Sequence, residues 1–332
     1  MSKTEPLPKV VLTDAINPQA HAILAARATV ATLPAGLDAN EANEQLRAEI
    51  KNAQGLIVRR QLPPDLFDGP HELRGIVRHG VGLDFIPVSS ATRHGIPVAN
   101  TPEVNANSVA EFAIAAMLES ARRLRHFDQQ VRQENWNARK TAGATTYELR
   151  NRSLGIVGFG AIGRRITQIA STAFGMRAAA CTRSPSRLPP DVAGMSLEQL
   201  FANSDFVVVA CPLTEETRGM INRPVLGNAK PGLVLVNVAR GPVINEADLV
   251  GALDSGTIGG AALDVFETQP LPMDSRLRNH PQVLLTPHLA GMTQDAELAM
   301  GHMAVDTQLA LIRGERPQNI VNRECFEKQE TA

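Results

Sequence analysis

Leu154-Gly155-Ile156-Val157-Gly158-Phe159-Gly160-Ala161-Ile162-Gly163 is a short apolar run that enters glycines spaced G-x-G-x-x-G, and a helical pattern follows it. Strand, tight turn and helix start in that order form the cradle for a dinucleotide pyrophosphate. Gly158 allows the turn. Gly160 leaves room for phosphate beside the first helical amides, those of Ala161 and Ile162, where the helix dipole favours an anion. Gly163 lets helix and strand pack closely. The motif sits mid-chain, so about half of the protein precedes it.

The 332 residues suffice for two domains of about 100–150 residues each. Hydrophobic content of 43% fits a globular protein, and a net charge of −1 provides no field that gathers nucleic acid or an acidic membrane. No apolar run approaches the roughly 18–20 residues of a membrane span, and the opening MSKTEPLPKV has no hydrophobic signal core. Cys181, Cys211 and Cys325 are an odd set without metal-ligand spacing. A cytoplasmic, reduced protein without a structural metal, a nucleic-acid partner or a membrane partner is expected. Cys181 and Cys211 end or flank apolar strands and read as inert; Cys325 reads as exposed near the chain end.

Upstream of the motif, Val10–Asp14, Gly55–Val58 and Gly75–Val77 read as strands, with helical spacing between the first two. Ile96-Pro97-Val98-Ala99 reads as an edge strand because of its proline. This pattern predicts a parallel sheet of flavodoxin-like type, with the turn Gly80-Val81-Gly82 at a strand end, where open α/β sheets place ligands. A helix is expected over 108–124. Downstream, Arg177–Cys181, Asp205–Ala210, Leu233–Val238, Gly260–Val265 and Val283–Thr286 complete a doubly wound set, and His302–Arg313 reads as a helix able to return to the first domain. The expected architecture is α/β: a Rossmann nucleotide-binding domain (102–289) inserted into a flavodoxin-like substrate domain (1–101 and 290–332). The active site is expected between them.

A Rossmann unit usually carries an acid at the end of its second strand, where it binds the ribose hydroxyls. Here that strand runs into Thr182-Arg183-Ser184-Pro185-Ser186-Arg187, which has none. A carboxylate would repel a 2′-phosphate, whereas Arg183, Ser184 and Arg187 suit one. NADP(H) is therefore the expected cofactor, with NAD(H) as the alternative.

Three more strand ends carry polar groups: Arg240 in Val236–Gly241, Asp264 to Gln269 in Ala261–Pro270, and His288 in Leu284–Gly291. Reduction of a 2-keto acid needs a cation for the carboxylate, a proton donor for the developing alkoxide and a group that orients the donor. Arg240 and His288 supply the first two.

With His79–Asp84, Asn100-Thr101-Pro102, Asn105–Glu111, Cys211-Pro212-Leu213-Thr214 and Glu216-Thr217-Arg218 added, the chain resembles the D-isomer-specific 2-hydroxyacid dehydrogenase family over nearly its whole length. That family includes glyoxylate/hydroxypyruvate reductases, phosphoglycerate dehydrogenases and D-lactate dehydrogenases. The resemblance implies a homodimer, with the helix over 108–124 in its interface. The short stretch after the last helix implies none of the extra regulatory domain of some phosphoglycerate dehydrogenases. Carried over by position, Arg240 grips the carboxylate and polarises the keto oxygen, and His288 donates the proton. The amides of Val81 and Gly82 hold the other end of the carboxylate. Cys211, Pro212, Thr214 and Ala239 line the cofactor, and Asp264 faces the nicotinamide carboxamide. Arg59 or Arg60 would contact a charged substrate tail. Tyr147 and Trp136 read as packing or interface residues.

One position departs from the family pattern. The catalytic glutamate that ordinarily precedes the loop proline is Gln269 here. An amide can hold the imidazole but brings no charge to favour its protonated form. Glu267, two residues upstream, could face the same way and substitute, although an ordinary loop acid is the favoured alternative. The expected reaction is NADPH-dependent reduction of a glyoxylate- or hydroxypyruvate-like acid. The alternatives are NAD(P)-dependent oxidation of a specialised 2-hydroxy acid, or a cofactor-sensing, corepressor-like binding protein.

Overall fold

The computed structural model describes residues 6–326; residues 1–5, part of the opening stretch read above, and 327–332 lie outside the described residues. The chain divides into two compact units, one comprising residues up to Asn105 with those from Met292 onward, the other Ala106–Gly291.

The first unit is a five-stranded parallel sheet of β1 (Lys9–Leu12), β2 (Thr29–Thr32), β3 (Gly55–Val58), β4 (Gly75–Arg78) and β5 (Val98–Ala99), in the order β2-β1-β3-β4-β5. This is the flavodoxin-like order. Side chains alternate across the sheet as strand geometry requires. Val11, Leu56, Val58, Ile76 and Val98 enter one core; Val10, Leu12, Ile57, Val77 and Ala99 enter the other. Helix Gln294–Ile312 closes the second core with Ala304, Val305, Leu309 and Leu311. It begins eight residues before His302, because Thr293 caps Ala296 (3.2 Å) ahead of a mostly polar first turn. β5 is an edge strand, as Pro97 led one to expect. Strand β2, Thr29–Thr32, was not legible: it is short and partly exposed at the opposite edge. Cys325 is fully buried, contrary to expectation. The preceding segment is pinned to β5, where Asn322 accepts from the Val98 amide (2.7 Å) and Ile320 bridges Ala99.

The second unit is a seven-stranded parallel sheet of β6 (Ser153–Val157), β7 (Arg177–Cys181), β8 (Ala193–Gly194), β9 (Phe206–Val209), β10 (Val234–Asn237), β11 (Gly260–Leu263) and β12 (Val283–Leu285). Its order, β12-β11-β10-β9-β6-β7-β8, is the Rossmann arrangement with a seventh strand, reversing direction between β6 and β9. The central strands are apolar throughout because both faces are covered. Val207, Val209 and Leu235 pack on one side; Phe206, Val208, Val234 and Val236 pack on the other with Leu154 and Ile156. Helix Ala106–Arg122 lays Val109, Ala113, Ile114 and Met117 onto this second core. Tyr147 belongs to it too, with Arg152 4.1 Å above its ring. The segment that follows the helix differs. Its short helices over 124–145 bury nothing and expose Leu124, Val131 and Trp136, the last by 67%. Among the described residues no helix is long and apolar enough to cross a membrane, and no group of three metal-ligating side chains forms.

Candidate active site

The glycine turn lies at the reversal point of the second sheet. Gly158 adopts φ +93°, and a Cβ there would lie 2.7 Å from the backbone of Cys211, just past β9. A Cβ at Gly163 would meet the Gly158 carbonyl at 2.4 Å, so only glycine lets helix Ala161–Phe174 sit this close to β6. Gly160 differs in facing open space. It precedes a fourteen-residue helix whose N-terminus has no side-chain cap and no acid in its first turn. Such an end offers unneutralised amides to a phosphate. The residues present therefore fit a dinucleotide pyrophosphate at Gly158, Gly160, Ala161, Ile162 and Gly163.

Past β7, Thr182 is half-buried while Arg183, Ser184 and Arg187 are exposed. Thr182 accepts from the Ser184 amide (3.4 Å) and shapes the turn. Across from it, the Thr214 hydroxyl donates to Glu216 (2.6 Å) and, with the nearby Arg183 charge, holds that carboxyl below its usual range. Pro212 is exposed in the same loop, and its carbonyl accepts from Thr217 (2.8 Å). Cys211 is buried, and desolvation pushes its thiol up to about 11, so it is chemically inert.

The loops after β10, β11 and β12 interlock. Ala239 is buried, its amide donating to Asn237 (3.0 Å), and its carbonyl accepts from the Arg240 guanidinium (2.7 Å). A Cβ on Gly241 would fall 1.8 Å from the carbonyl carbon of Phe266, so the two loops touch backbone to backbone. His288 has φ +57°, the left-handed region, and its Nδ1 lies 3.1 Å from Gln269 Oε1. The amide nitrogen of Gln269 faces the Phe266 carbonyl (3.5 Å), which leaves its oxygen for the ring. Nδ1 therefore carries the hydrogen, which assigns proton exchange to Nε2.

Asp264 has a role that its assignment to the nicotinamide did not anticipate. It is 1% exposed, and its carboxylate accepts from the Thr286 hydroxyl (2.7 Å) and the amides of Leu289 and Ala290 (both 2.9 Å). Its carbonyl accepts from the His288 amide (2.8 Å). A buried carboxylate needs donors, and these four bonds clamp the histidine loop in its left-handed turn. Glu267 does not substitute for the missing acid either. Its carboxylate accepts from the Glu246 amide (3.1 Å), at the start of helix Glu246–Asp254, while Gln269 takes the imidazole.

In the first unit, Arg60 pairs bidentately with Asp14 (2.6 and 3.1 Å), and Arg59 binds Glu297 (2.9 Å) and the Ala15 carbonyl (2.8 Å). Both guanidiniums hold strand ends and helix together, rather than standing ready for a substrate tail. Gly80, at φ +139°, bends the chain after β4, and its amide donates to Thr101 (2.9 Å). The carbonyls of Val81 and Gly82 accept from Asn100 (2.9 Å) and Arg78 (3.1 Å). Their amides have no acceptor among the described residues. That leaves two adjacent donors for an anion. His79, missed as a distinctive residue by sequence reasoning, is 3% exposed, and neither ring nitrogen has a hydrogen-bond partner among the described residues. Burial, with Arg59 and Arg78 nearby, lowers its pKa to about 4.

Residues 114–290 match the family described as D-isomer specific 2-hydroxyacid dehydrogenase, NAD binding domain. The chain is 37% identical over 292 residues to the glyoxylate reductase of Pyrococcus furiosus, covering 85% of this chain and 86% of that one. Among solved structures, the TT0316 protein of Thermus thermophilus superposes with a TM-score of 0.85 at 32% identity, covering 94% and 99% of the two chains. The NADPH-dependent glyoxylate/hydroxypyruvate reductase of Sinorhizobium meliloti, solved with NADP and malonate, gives 0.82 at 32% identity, covering 96% and 97%.

Proposed function

Because the chain belongs to the D-isomer specific 2-hydroxyacid dehydrogenase family, we propose that it reduces glyoxylate- or hydroxypyruvate-like 2-keto acids to D-2-hydroxy acids, with NADPH preferred over NADH. At the coarser level it is an NAD(P)-dependent oxidoreductase of small 2-keto acids. The observation that carries the proton-transfer part of the proposal, in either direction, is the His288–Gln269 pair, 3.1 Å apart on a loop that Asp264 clamps.

A bound dihydronicotinamide supplies the hydride. Arg240 binds the substrate carboxylate and polarises the keto oxygen. The free amides of Val81 and Gly82 are the hydrogen-bond donors that the first unit offers to a substrate anion. His288 delivers a proton from Nε2 to the alkoxide oxygen, while Gln269 fixes the ring through Nδ1. The acid-free turn Thr182–Arg187 supports NADPH, since Arg183, Ser184 and Arg187 bring donors and positive charge where a carboxylate would repel the 2′-phosphate. The exposed apolar side chains over 124–145 support a homodimer, with a second copy covering Leu124, Val131 and Trp136.

The test is turnover with a panel of 2-keto acids, including sulfonated and aromatic ones, using both cofactors. NADPH oxidation with a small 2-keto acid, abolished in His288→Ala, is expected. Silence across the whole panel sinks the proposal and favours a cofactor-sensing binding role. One observation favours a second reading. An uncharged partner leaves the imidazole readier to accept a proton than to keep one, which suits oxidation of a 2-hydroxy acid.

A further inference from the structure

We propose that Glu246 and Glu267 form a reciprocal clasp that sets Gln269 against His288, which makes Glu246 a positioning residue for proton transfer. This rests on His288 being the proton donor. The loop after β10 carries Arg240 and leads into helix Glu246–Asp254; the loop after β11 carries Gln269. Three contacts join them. Gly241 lies backbone to backbone against Phe266 and Glu267. The Glu246 amide donates to the Glu267 carboxylate (3.1 Å). In return, the Glu267 amide donates to the Glu246 carboxylate (2.5 Å). Gln269 is two residues beyond the clasp. Among the described residues its side chain bonds to His288 and, at a long 3.5 Å, to the Phe266 carbonyl.

The clasp brings two acids together, which is unfavourable by itself. Burial and the Glu267 charge both raise the pKa of Glu246. A helix start gains from one acid, and Glu267 already accepts from the first amide there. The Glu246 side chain reaches out of its helix to hold the opposite loop. The Glu267 amide, fixed by that carboxylate, sets where the chain enters Thr268-Gln269. A Cβ on Gly241 would fall 1.8 Å from the Phe266 carbonyl carbon and 2.4 Å from the Glu267 nitrogen, so the two loops meet closely at the clasp. Arg240 and Gln269 are therefore carried by one interlocked pair of loops, and the imidazole orientation depends on a residue that touches neither substrate nor ring.

A double-mutant cycle tests this. Glu246→Ala should lower kcat for 2-keto acid reduction by roughly tenfold, with the KM for NADPH unchanged. In a Gln269→Ala background the same change should cost nothing further, because the residue it positions is gone. Glu246→Gln should restore most of the activity, since its amide oxygen still accepts from the Glu267 amide. Additive losses, wild-type kcat in Glu246→Ala, or Glu246→Gln falling as far as Glu246→Ala would each overturn the clasp. If the wild-type protein turns over no 2-keto acid, the proposed function fails, and 15N shifts of His288 still decide the clasp. In Glu246→Ala they should move away from the Nδ1–H tautomer; unchanged shifts would overturn it.

Discussion

Replacing Gln269 by glutamate restores a charge 3.1 Å from the imidazole nitrogen that now meets an amide oxygen. Two unit charges about 4 Å apart interact by about 1 kcal/mol in water and about 4 kcal/mol near a protein surface. Gln269 is exposed and His288 half-buried, so the lower figure applies, and about 1.4 kcal/mol corresponds to one pH unit. The charged partner favours the imidazolium. Reduction consumes the imidazolium proton, so kcat/KM falls as pH rises past the titration of the ring. Gln269→Glu should therefore move the alkaline limb of NADPH-dependent glyoxylate reduction upward by about one unit. Initial rates from pH 5 to 9.5 at sub-saturating glyoxylate measure it, with NADPH saturating. A limb that stays in place would refute the electrostatic reasoning and His288 as the group that titrates.

Four further outcomes are expected. His79 falls from its ordinary 6.5 to about 4, so it is neutral when folded, and unfolding takes up a proton between those values. Its contribution is complete above pH 6.5 and is lost as pH falls toward 4, by about 3 kcal/mol at most; urea midpoints at pH 7 and 4.5 should converge in His79→Phe. Gly241→Ala places a methyl 1.8 Å from the Phe266 carbonyl carbon and should lower the Tm by several degrees, read by scanning calorimetry. Thr182→Asp should lower the NADPH-to-NADH ratio of kcat/KM by about tenfold or more, through repulsion of the 2′-phosphate; an unchanged ratio removes that turn from cofactor choice. Trp136→Lys should convert a dimer to a monomer in sedimentation, and an unaltered mass would place the interface elsewhere.

Both sheets were legible because parallel strands covered on two faces are apolar throughout, as in Gly55–Val58 and Phe206–Val209. The glycine turn was legible because each glycine answers a separate steric demand. Strands β2 and β8 were not: Thr29–Thr32 and Ala193–Gly194 are stabilised by pairing with β1 and β7, and pairing leaves no mark on such short runs. The charged residues were harder to read. Arg59 and Arg60 look like a substrate-binding pair by sequence, yet their partners Glu297 and Asp14 are 238 and 46 residues away. Cys325 looked exposed from its place near the chain end, but the bond between Asn322 and Val98 spans 224 residues.

From its sequence alone this protein has a Rossmann turn, strand ends bearing Arg240, Gln269 and His288, and no acid where a ribose would lie. These follow from local sterics and from which residue types are present. Which partner each side chain takes was decided only by folding. Asp264 became the clamp of the histidine loop, and Glu267 turned to Glu246 and left the imidazole to Gln269. The physical reason is that a carboxylate goes to the nearest unsatisfied donors. Those donors here are, apart from the Thr286 hydroxyl, backbone amides, whose positions no side-chain pattern encodes.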